Sequence, residues 1–260
     1  MTTSVAVVGA TGRMGALTLA LIDGADDLSL HAAISSKDPL DAMNGADVVI
    51  DFTVPGVSQQ VVDHAIAQGI DVVIGTSGWS SERIAGLARA AAAVPGLGVL
   101  VIPNFSLGSV LGTAFAALAA RFFDSIEIIE AHHTGKVDSP SGTATRTAEL
   151  IGEARAERGP VIAPHADQRA RGQQVASVPI HSLRLQGVEA KQEVVLGGRG
   201  ELLRITHETI SSSSYEAGIL LALRTVPTTE GVVVGLDKLL DLFPAPTSLP
   251  APTSFPAPTS

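Results

Sequence analysis

Short apolar runs alternate with helical patterns along the first part of the chain. Five runs rich in Val and Ile have the length of strands, at 4–9, 28–34, 46–53, 70–76 and 97–103. Between them, apolar residues recur at helical spacing over 15–23, 59–67 and 82–93. Strands that are apolar almost throughout are typical of parallel strands buried on both faces. The alternation therefore predicts an α/β fold with a doubly wound parallel sheet.

The pattern changes after residue 104. Helical spacing over 108–123 and 143–157 is followed by alternating runs at 178–185, 190–196 and 202–206. Such alternation predicts a second, α+β domain with a mainly antiparallel sheet. The apolar segments 215–225 and 232–243 are expected to pack back onto the first domain. The last segment, 244–260, carries PAPTS repeats whose prolines favour an extended tail.

Composition narrows the class of protein. The 260 residues are 45% hydrophobic, which is enough for a large core, and the formal net charge is −9 at pH 7. This acidic balance argues against nucleic-acid or membrane partners. No apolar run approaches the roughly 20 residues that cross a bilayer, and no basic segment precedes the first strand as in a signal peptide. The absence of cysteine fits a cytoplasmic protein and excludes thiol nucleophiles and thiolate metal sites.

A glycine loop lies between the first predicted strand and the first predicted helix. Its GxxGxxG spacing is a looser form of the dinucleotide-binding GxGxxG. In such a loop the glycines permit a tight turn, close approach of a pyrophosphate and close helix packing, and the helix N-terminus favours the anion. A Rossmann-type dinucleotide site is therefore predicted. The loop residues are Gly9, Ala10, Thr11, Gly12, Arg13, Met14 and Gly15.

The end of the second strand bears on the choice of cofactor. An acidic residue normally stands there to bind the ribose of NAD, whereas this chain has Ser35, Ser36 and Lys37. Two hydroxyls and a cation favour the phosphate of NADPH, and Arg13 is a second candidate cation. Asp38 lies close enough to weaken this inference, and an ordinary solvated turn remains an alternative.

Two adjacent histidines follow a strand-like segment. The period of two places Glu130 and His132 on one face of the strand and His133 on the other, which suggests different roles for the two imidazoles. Lys136 follows a glycine turn and can fold back toward them, with Asp138 as a partner for a cation or a turn former. A metal site is the rival interpretation, but the segment lacks cysteine and the His-x-x-x-His spacing of zinc sites.

The helix that follows begins with small polar residues. Ser141, Gly142 and Thr143 would leave backbone amides facing an anion. With Lys136 and His133 nearby, this arrangement suits a small dicarboxylate substrate. His132 and Lys136 suit general-acid catalysis when a hydride reaches a carbon conjugated to an imine.

The segment 130–144 resembles the signature E(L/A)HHxxKxDxPSGTA of the dihydrodipicolinate reductase (4-hydroxy-tetrahydrodipicolinate reductase) family. The similarity extends to the glycine loop, 51–53, 75–78, 103–105 and 235–242. It implies a homotetramer of two-domain subunits in lysine and diaminopimelate biosynthesis. Members of the family use NADPH or NADH to reduce a hydroxylated cyclic imine, formed from pyruvate and aspartate semialdehyde, with loss of water.

The resemblance also assigns roles to residues and domains. His132 is the implied proton donor, Lys136 its catalytic partner, and the substrate is held by His133, Ser141, Gly142 and Thr143. The cofactor would be lined by residues 9–14 and by Phe52, Gly75, Thr76, Ser77, Ile102, Pro103, Asn104 and Phe105. Residues 1–104 and 214–243 would form the dinucleotide-binding domain, and 105–213 the substrate-binding and tetramerisation domain.

The chain departs from the family pattern at three places, and other functions compete. Ser35 replaces a frequent acidic residue, Ser212 replaces an arginine between His207 and Tyr215, and the PAPTS repeats match no known pattern of the family. The alternatives are a non-catalytic NADP-sensing regulator and a reductase of another cyclic imine. A short-chain reductase would need Tyr-x-x-x-Lys, but Ile219 follows Tyr215 at that spacing. A semialdehyde dehydrogenase would need a cysteine.

Overall fold

The computed structural model describes residues 2–240 and 242. Its first sheet has six parallel strands in the order β11-β5-β4-β3-β1-β2. The strands are β1 (Thr3–Val8), β2 (Leu28–Ile34), β3 (Val48–Asp51), β4 (Asp71–Ile74), β5 (Gly98–Val101) and β11 (Gly231–Val234). The predicted doubly wound sheet is confirmed, with most strands shorter than the apolar runs.

Helices cover both faces of this sheet. They are α1 (Arg13–Asp23), α2 (Pro55–Ala67), α3 (Ser81–Ala92) and α6 (Glu216–Thr225). The helices α2 and α3 pack on one face through residues such as Val62 and Leu87. On the other face, α1 and α6 bury Ile22 and Ile219. This two-sided burial explains why β1, β3, β4 and β5 are apolar nearly throughout.

The strand β2 does not follow the predicted two-sided burial. It lies at the edge of the sheet, and within it only Leu28 and Ile34 are buried, whereas Leu30 is 49% exposed. The apolar run did predict a strand at 28–34, but its burial depends on strand order, which the run does not encode. The edge position leaves its central side chains in contact with solvent.

The second sheet has five strands in the order β10-β9-β6-β8-β7. They are β6 (Ser125–His132), β7 (Gln173–Val175), β8 (Val178–Arg184), β9 (Ala190–Gly198) and β10 (Glu201–Thr209). All neighbours are antiparallel except β6 and β8, which run parallel. The expectation of a second, mainly antiparallel sheet is therefore confirmed.

One face of the second sheet is covered by α4 (Leu107–Ala120) and α5 (Gly142–Ala154). Ile128, Val194 and Leu196 on the strands are fully buried against residues such as Ala148 and Ile151 on α5. The opposite face is more open, since Ile129 and Leu183 each remain 38% exposed. The sheet therefore has a single covered face, as its alternating sequence predicts.

The chain returns to the first sheet after β10. The helix α6 packs beside α1, and β11 pairs in parallel with β5. Within the described residues, α6 and β11 therefore lie against the first sheet, and a short 3-10 helix follows at Leu236–Leu239. The predicted PAPTS tail, 244–260, lies outside the described residues. Among the helices of residues 2–240, none is long and apolar enough to cross a bilayer.

Candidate active site

The glycine loop connects β1 to the N-terminus of α1 and is packed against backbone. Gly9 has φ +83°, and a Cβ on it would lie 2.6 Å from the carbonyl oxygen of Phe52. A Cβ on Gly15 would lie 2.3 Å from the carbonyl oxygen of Gly9. Gly12 is the N-cap residue of α1, and among the described residues no side chain accepts a hydrogen bond from the first amides of the helix. A closely packed turn that leaves these amides available fits the pyrophosphate of a dinucleotide.

The carboxyl ends of β3 and β4 form the adjoining wall. Asp51 is fully buried and accepts hydrogen bonds from the Thr53 amide at 2.9 Å, the Thr53 hydroxyl at 2.6 Å and the Ser58 hydroxyl at 2.5 Å. These bonds fix the turn that carries Phe52. A Cβ on Gly75 would lie 2.4 Å from the Phe52 ring, so a side chain at this position would displace that ring. The wall therefore offers a flat aromatic surface beside the glycine loop.

His132 ends β6 and is bound to a buried carboxylate. Its Nδ1 lies 2.6 Å from Oε2 of Glu130, whose side chain has no exposed surface. Arg184, at the end of β8, donates from Nη1 to Oε2 and from Nη2 to Oε1, each at 3.0 Å. The Ser141 amide donates to Oε1 at 3.3 Å. The predicted common face of Glu130 and His132 is therefore confirmed.

The charges around His132 act in opposite directions. Burial lowers the pKa of His132 below its usual value, while Glu130 raises it and the Lys136 and Arg184 cations lower it further. Burial acts to raise the pKa of Glu130, but hydrogen bonds from Arg184, Ser182 and His132 outweigh it and hold that pKa below its usual range. These contacts thus favour the ionised form of Glu130, and burial favours the neutral form of the His132 imidazole.

Lys136 and the start of α5 lie next to this pair. Lys136 follows a turn in which its amide donates to the His133 carbonyl at 3.1 Å, and its Nζ lies 2.7 Å from Oδ1 of Asp138. The Ser141 hydroxyl caps α5 by accepting from the Ala144 amide at 3.2 Å. The Lys136 ammonium is the first of the contacts that lower the pKa of Asp138. A cation and a helix N-terminus therefore stand together, which suits a carboxylate ligand.

A cleft of about 340 Å³ joins these features across the two sheets. It brings together twelve of the residues predicted from the sequence, drawn from both domains: Arg13, Met14, Phe52, Gly75, Pro103, Asn104, Phe105, His132, His133, Lys136, Ser141 and Thr143. The other predicted residues do not line it: Gly9, Ala10, Thr11, Gly12, Ser35, Ser36, Lys37, Thr76, Ser77, Ile102 and Gly142.

The turn at 35–38 is closed by its own carboxylate. Oδ2 of Asp38 accepts from the Ser35 amide at 2.9 Å and from its hydroxyl at 2.6 Å. These hydrogen bonds lower the pKa of Asp38. The turn carries both a carboxylate and, on Lys37, an exposed ammonium.

Several cleft residues escaped the sequence reasoning: Ser106, Ser109, Glu189, Ala190, Lys191, Gln192, His207, Thr209 and Tyr215. Arg184 was also missed, and the only signal for it is a charged residue at the end of an apolar strand. Glu189 lies in the β8–β9 loop, and its Oε1 is 2.8 Å from Nη1 of Arg13, so the pair crosses the cleft. The part of the chain that the structure describes contains no cluster of His, Asp and Glu suited to a metal ion.

A doubly wound sheet with a glycine loop, facing an imidazole, a lysine and a helix N-terminus in a second domain, defines a two-domain NAD(P)-dependent oxidoreductase. The chain belongs to the dihydrodipicolinate reductase family. The family model described as "Dihydrodipicolinate reductase, N-terminus" matches residues 3–105, and that described as "Dihydrodipicolinate reductase, C-terminus" matches residues 108–240. The resemblance inferred from the 130–144 signature is confirmed.

Relatives in several bacteria support this membership. The chain is 62% identical to the 4-hydroxy-tetrahydrodipicolinate reductase of Clavibacter michiganensis subsp. michiganensis, over 93% of this chain and 87% of that protein. It is 47% identical to the 4-hydroxy-tetrahydrodipicolinate reductase of Streptomyces griseus subsp. griseus, over 92% of this chain and 98% of that protein.

Solved structures agree at the level of the fold. The dipicolinate-bound dihydrodipicolinate reductase of Paenisporosarcina sp. TG-14 superposes with a TM-score of 0.81 at 29% identity, covering 92% of this chain and all of that chain. An amine dehydrogenase of Mycobacterium smegmatis reaches a TM-score of 0.59 at 10% identity, over 93% of this chain and 97% of that chain. The second likeness concerns the fold alone.

Proposed function

We propose that this chain reduces 4-hydroxy-tetrahydrodipicolinate to tetrahydrodipicolinate with NAD(P)H, as the names of its relatives indicate for those proteins. The substrate gains a hydride and a proton and loses water. The observation that carries the proposal is the shared cleft, in which Met14 and Gly75 of the first domain face His132, Lys136 and Thr143 of the second. A bound nicotinamide would supply the hydride, and the protein would supply the proton and the groups that bind the substrate.

The residues of the second domain have distinct tasks in this proposal. Glu130 accepts the Nδ1 proton of His132, so the imidazolium, once it has formed with substrate bound, donates its Nε2 proton into the cleft. Lys136 offers its ammonium to the substrate and exchanges Asp138 for a substrate carboxylate. The amides of Gly142 and Thr143 at the N-terminus of α5, together with Ser141 and His133, bind a carboxylate. Two carboxylates of one small substrate are thereby oriented beside the acid.

The cofactor is held by the first domain. We assign the pyrophosphate to the N-terminus of α1 and its loop, residues 9–14, because that turn is uncapped and closely packed. Phe52, Gly75, Thr76, Ser77 and the segment 102–105 would line the remainder. The Cβ distance at Gly75 supports this assignment, since a side chain there would displace the Phe52 ring.

A synthase-coupled assay tests the proposed reaction. Dihydrodipicolinate synthase, pyruvate and aspartate semialdehyde generate the substrate, and absorbance of the reduced nicotinamide follows turnover. We expect His132→Gln to lower turnover by about 10²- to 10⁴-fold, the usual contribution of a general acid, with NADPH affinity unchanged. The control His31→Gln removes an exposed imidazole on β2 and should retain full activity. Full turnover in His132→Gln would refute the assignment.

We propose further that the enzyme prefers NADPH. The exposed Lys37 ammonium supports this, because it can pair with the adenosine 2′-phosphate, while Asp38 is partly satisfied by Ser35. Lys37→Ala should lower the ratio of kcat/KM for NADPH to that for NADH by about tenfold, or about 1.4 kcal/mol. Lys238→Ala, a second exposed lysine, is the control. An unchanged ratio would show that the turn does not select the cofactor.

We infer that the chain acts as a cytoplasmic homotetramer. Residues 1–104 and 214–243 would form the cofactor domain, and 105–213 the domain that binds substrate and makes the subunit contacts. The open face of the second sheet supports this role, since Ile129 and Leu183 are each 38% exposed there. Native mass spectrometry should give four chains, and Ile129→Glu should yield smaller species. A monomeric wild-type protein would refute the inference.

A further inference from the structure

Glu130 is a fully buried carboxylate beneath the cleft, and its negative charge needs an explanation. Burying an ion costs several kcal/mol unless it is paired and hydrogen-bonded. A buried ion pair also often contributes no more to the stability of the fold than apolar residues of the same volume would. Stability alone therefore gives little reason for a charge at this position. The neighbours of Glu130 suggest another role.

Both oxygens of Glu130 are used, and each connects to the site. Oε2 accepts from Nδ1 of His132 at 2.6 Å, and Oε1 accepts at 3.3 Å from the amide of Ser141, the residue whose hydroxyl caps α5. Arg184 bridges the two oxygens at 3.0 Å each. One carboxylate thus contacts the imidazole, the start of the anion-binding helix and a cation.

Arg184 is in turn anchored to the loop that carries the lysine. Its Nη2 donates to the Asp138 carbonyl at 2.6 Å, and its Nε donates to the Lys136 carbonyl at 3.3 Å. These bonds leave the guanidinium little freedom to rotate away from Glu130. The Arg184–Glu130 ion pair therefore holds the 136–138 backbone in place, and it keeps the Glu130 carboxylate ionised.

We propose that Glu130, held ionised by Arg184, is a positioning residue that fixes His132 with Nδ1 protonated and Nε2 facing the cleft, and that stabilises the imidazolium form. This inference rests on the proposed role of His132 as proton donor. A carboxylate on Nδ1 imposes the tautomer and ring orientation, as the aspartate does in a Ser-His-Asp triad. Glu130 itself does not contact the substrate.

The charges facing His132 make the proposal measurable. Lys136 and Arg184 are cations that disfavour the imidazolium, and Glu130 is the anion that favours it. Glu130→Gln removes the anion and leaves both cations in place. The pKa of His132 must then fall further, and the fixed tautomer is lost. A residue that only filled space would have neither effect.

The chain contains a matched control on the same strand. Glu127 lies on the opposite face of β6, where it also pairs with an arginine, Arg171, and with a histidine, His181, at 2.7 Å. Glu127→Gln therefore removes a carboxylate of the same type from the same strand without touching the cleft. We expect it to leave kcat and the pKa of His132 unchanged.

The first measurement is an NMR titration of the His132 imidazole, assigned by its loss in His132→Gln. In Glu130→Gln the pKa should be lower than in the wild type, and kcat should fall on the order of 10²-fold with NADPH affinity retained. Glu130→Asp, which keeps the carboxylate, should recover part of the kcat. A His132 pKa that is unchanged in Glu130→Gln overturns the proposal, whatever happens to turnover.

A double-mutant cycle separates this proposal from the proposed function. If Glu130 acts through His132, adding Glu130→Gln to His132→Gln should cause no further loss of kcat. A second, full loss in the double variant would mean that Glu130 acts independently, which overturns the proposal. If His132→Gln alone retains turnover, the proton-donor assignment fails instead, and the NMR titration still decides whether Glu130 controls the imidazole.

Discussion

Gly15→Ala tests whether the glycine loop is built around a bound phosphate. Gly15 lies in the first turn of α1 and is buried. A Cβ there would stand 2.3 Å from the Gly9 carbonyl oxygen, 2.7 Å from the Ala10 Cα and 2.9 Å from the Gly9 carbonyl carbon. All three atoms belong to the backbone, so none can rotate away. The loop itself must move.

The size of that movement sets the expected loss. Since ordinary contact begins near 3.4 Å, Gly9 must retreat by roughly 1 Å, which is enough to break a hydrogen bond from a loop amide to the phosphate. Such a bond to a charged group contributes about 1.5–3 kcal/mol, so NADPH binding should weaken about 100-fold, or about 2.7 kcal/mol. Overpacking costs about 2 kcal/mol, while alanine in a helix recovers about 1 kcal/mol. The net change of about 1 kcal/mol corresponds to a Tm lower by about 2–4 °C.

Calorimetric titration with NADPH and thermal unfolding measure the two effects separately. Gly56→Ala is the control, because its Cβ would have nothing within 4 Å in α2, and it should raise stability by about 0.5–1 kcal/mol with NADPH binding unchanged. Wild-type affinity in Gly15→Ala would refute the assignment of the loop to the phosphate. A large loss of Tm without loss of affinity would show that Gly15 serves packing alone.

Three further predictions concern other contacts. In the proposed function His132 donates a proton, and burial lowers its pKa below the usual histidine value. We therefore expect kcat/KM to fall with rising pH at a lower pH than kcat does, because a bound dicarboxylate favours the imidazolium. If kcat/KM and kcat fall at the same pH, this reasoning is refuted. Glu189→Gln removes the carboxylate that pairs with Arg13, so the Arg13 guanidinium can interact with NADPH. Calorimetric titration should show NADPH binding about two- to fivefold tighter at low salt, and no difference from the wild type at high salt. Arg155 is 3% exposed and donates hydrogen bonds to four backbone carbonyls. Arg155→Met leaves these carbonyls without a donor, so it should lower the free energy of unfolding in urea by about 3 kcal/mol without altering NADPH affinity. A decrease of less than about 1 kcal/mol would refute this structural role.

Periodicity predicted most elements of the fold, but it missed the short strand β7 and did not predict the spatial order of the strands. The run at 28–34 predicts β2 correctly, yet its edge position depends on which strands pair. The return of the chain through α6 was readable from its apolar residues, whereas the pairing of β11 with β5 was not. Pairing between distant segments arises from packing of the whole sheet, and local hydrophobicity carries no direct record of it.

The site shows the same division between local and distant information. Glu130 and His132 are two residues apart, so their common face follows from strand geometry alone. Arg184 is far along the chain and reaches Glu130 only because β6 and β8 are parallel neighbours. Likewise, Ser35 and Lys37 predicted a phosphate-binding turn, but the hydrogen bonds from Ser35 to Asp38 depend on backbone angles that composition does not reveal.

A helix N-terminus borders each half of the cleft, and the proposed function assigns a different anion to each. The four-residue turn 9–12 joins β1 to α1, whereas the nine-residue segment 133–141 joins β6 to α5. Each helix directs its positive dipole end toward the cleft, which favours the pyrophosphate at α1 and the carboxylate at α5 that we propose. The chain has a net charge of −9, so its overall field repels both anions. Attraction must therefore come from these two helix ends and from the cations that line the cleft, which are Arg13 beside the glycine loop, Lys136 in the segment before α5, and Lys191 on β9.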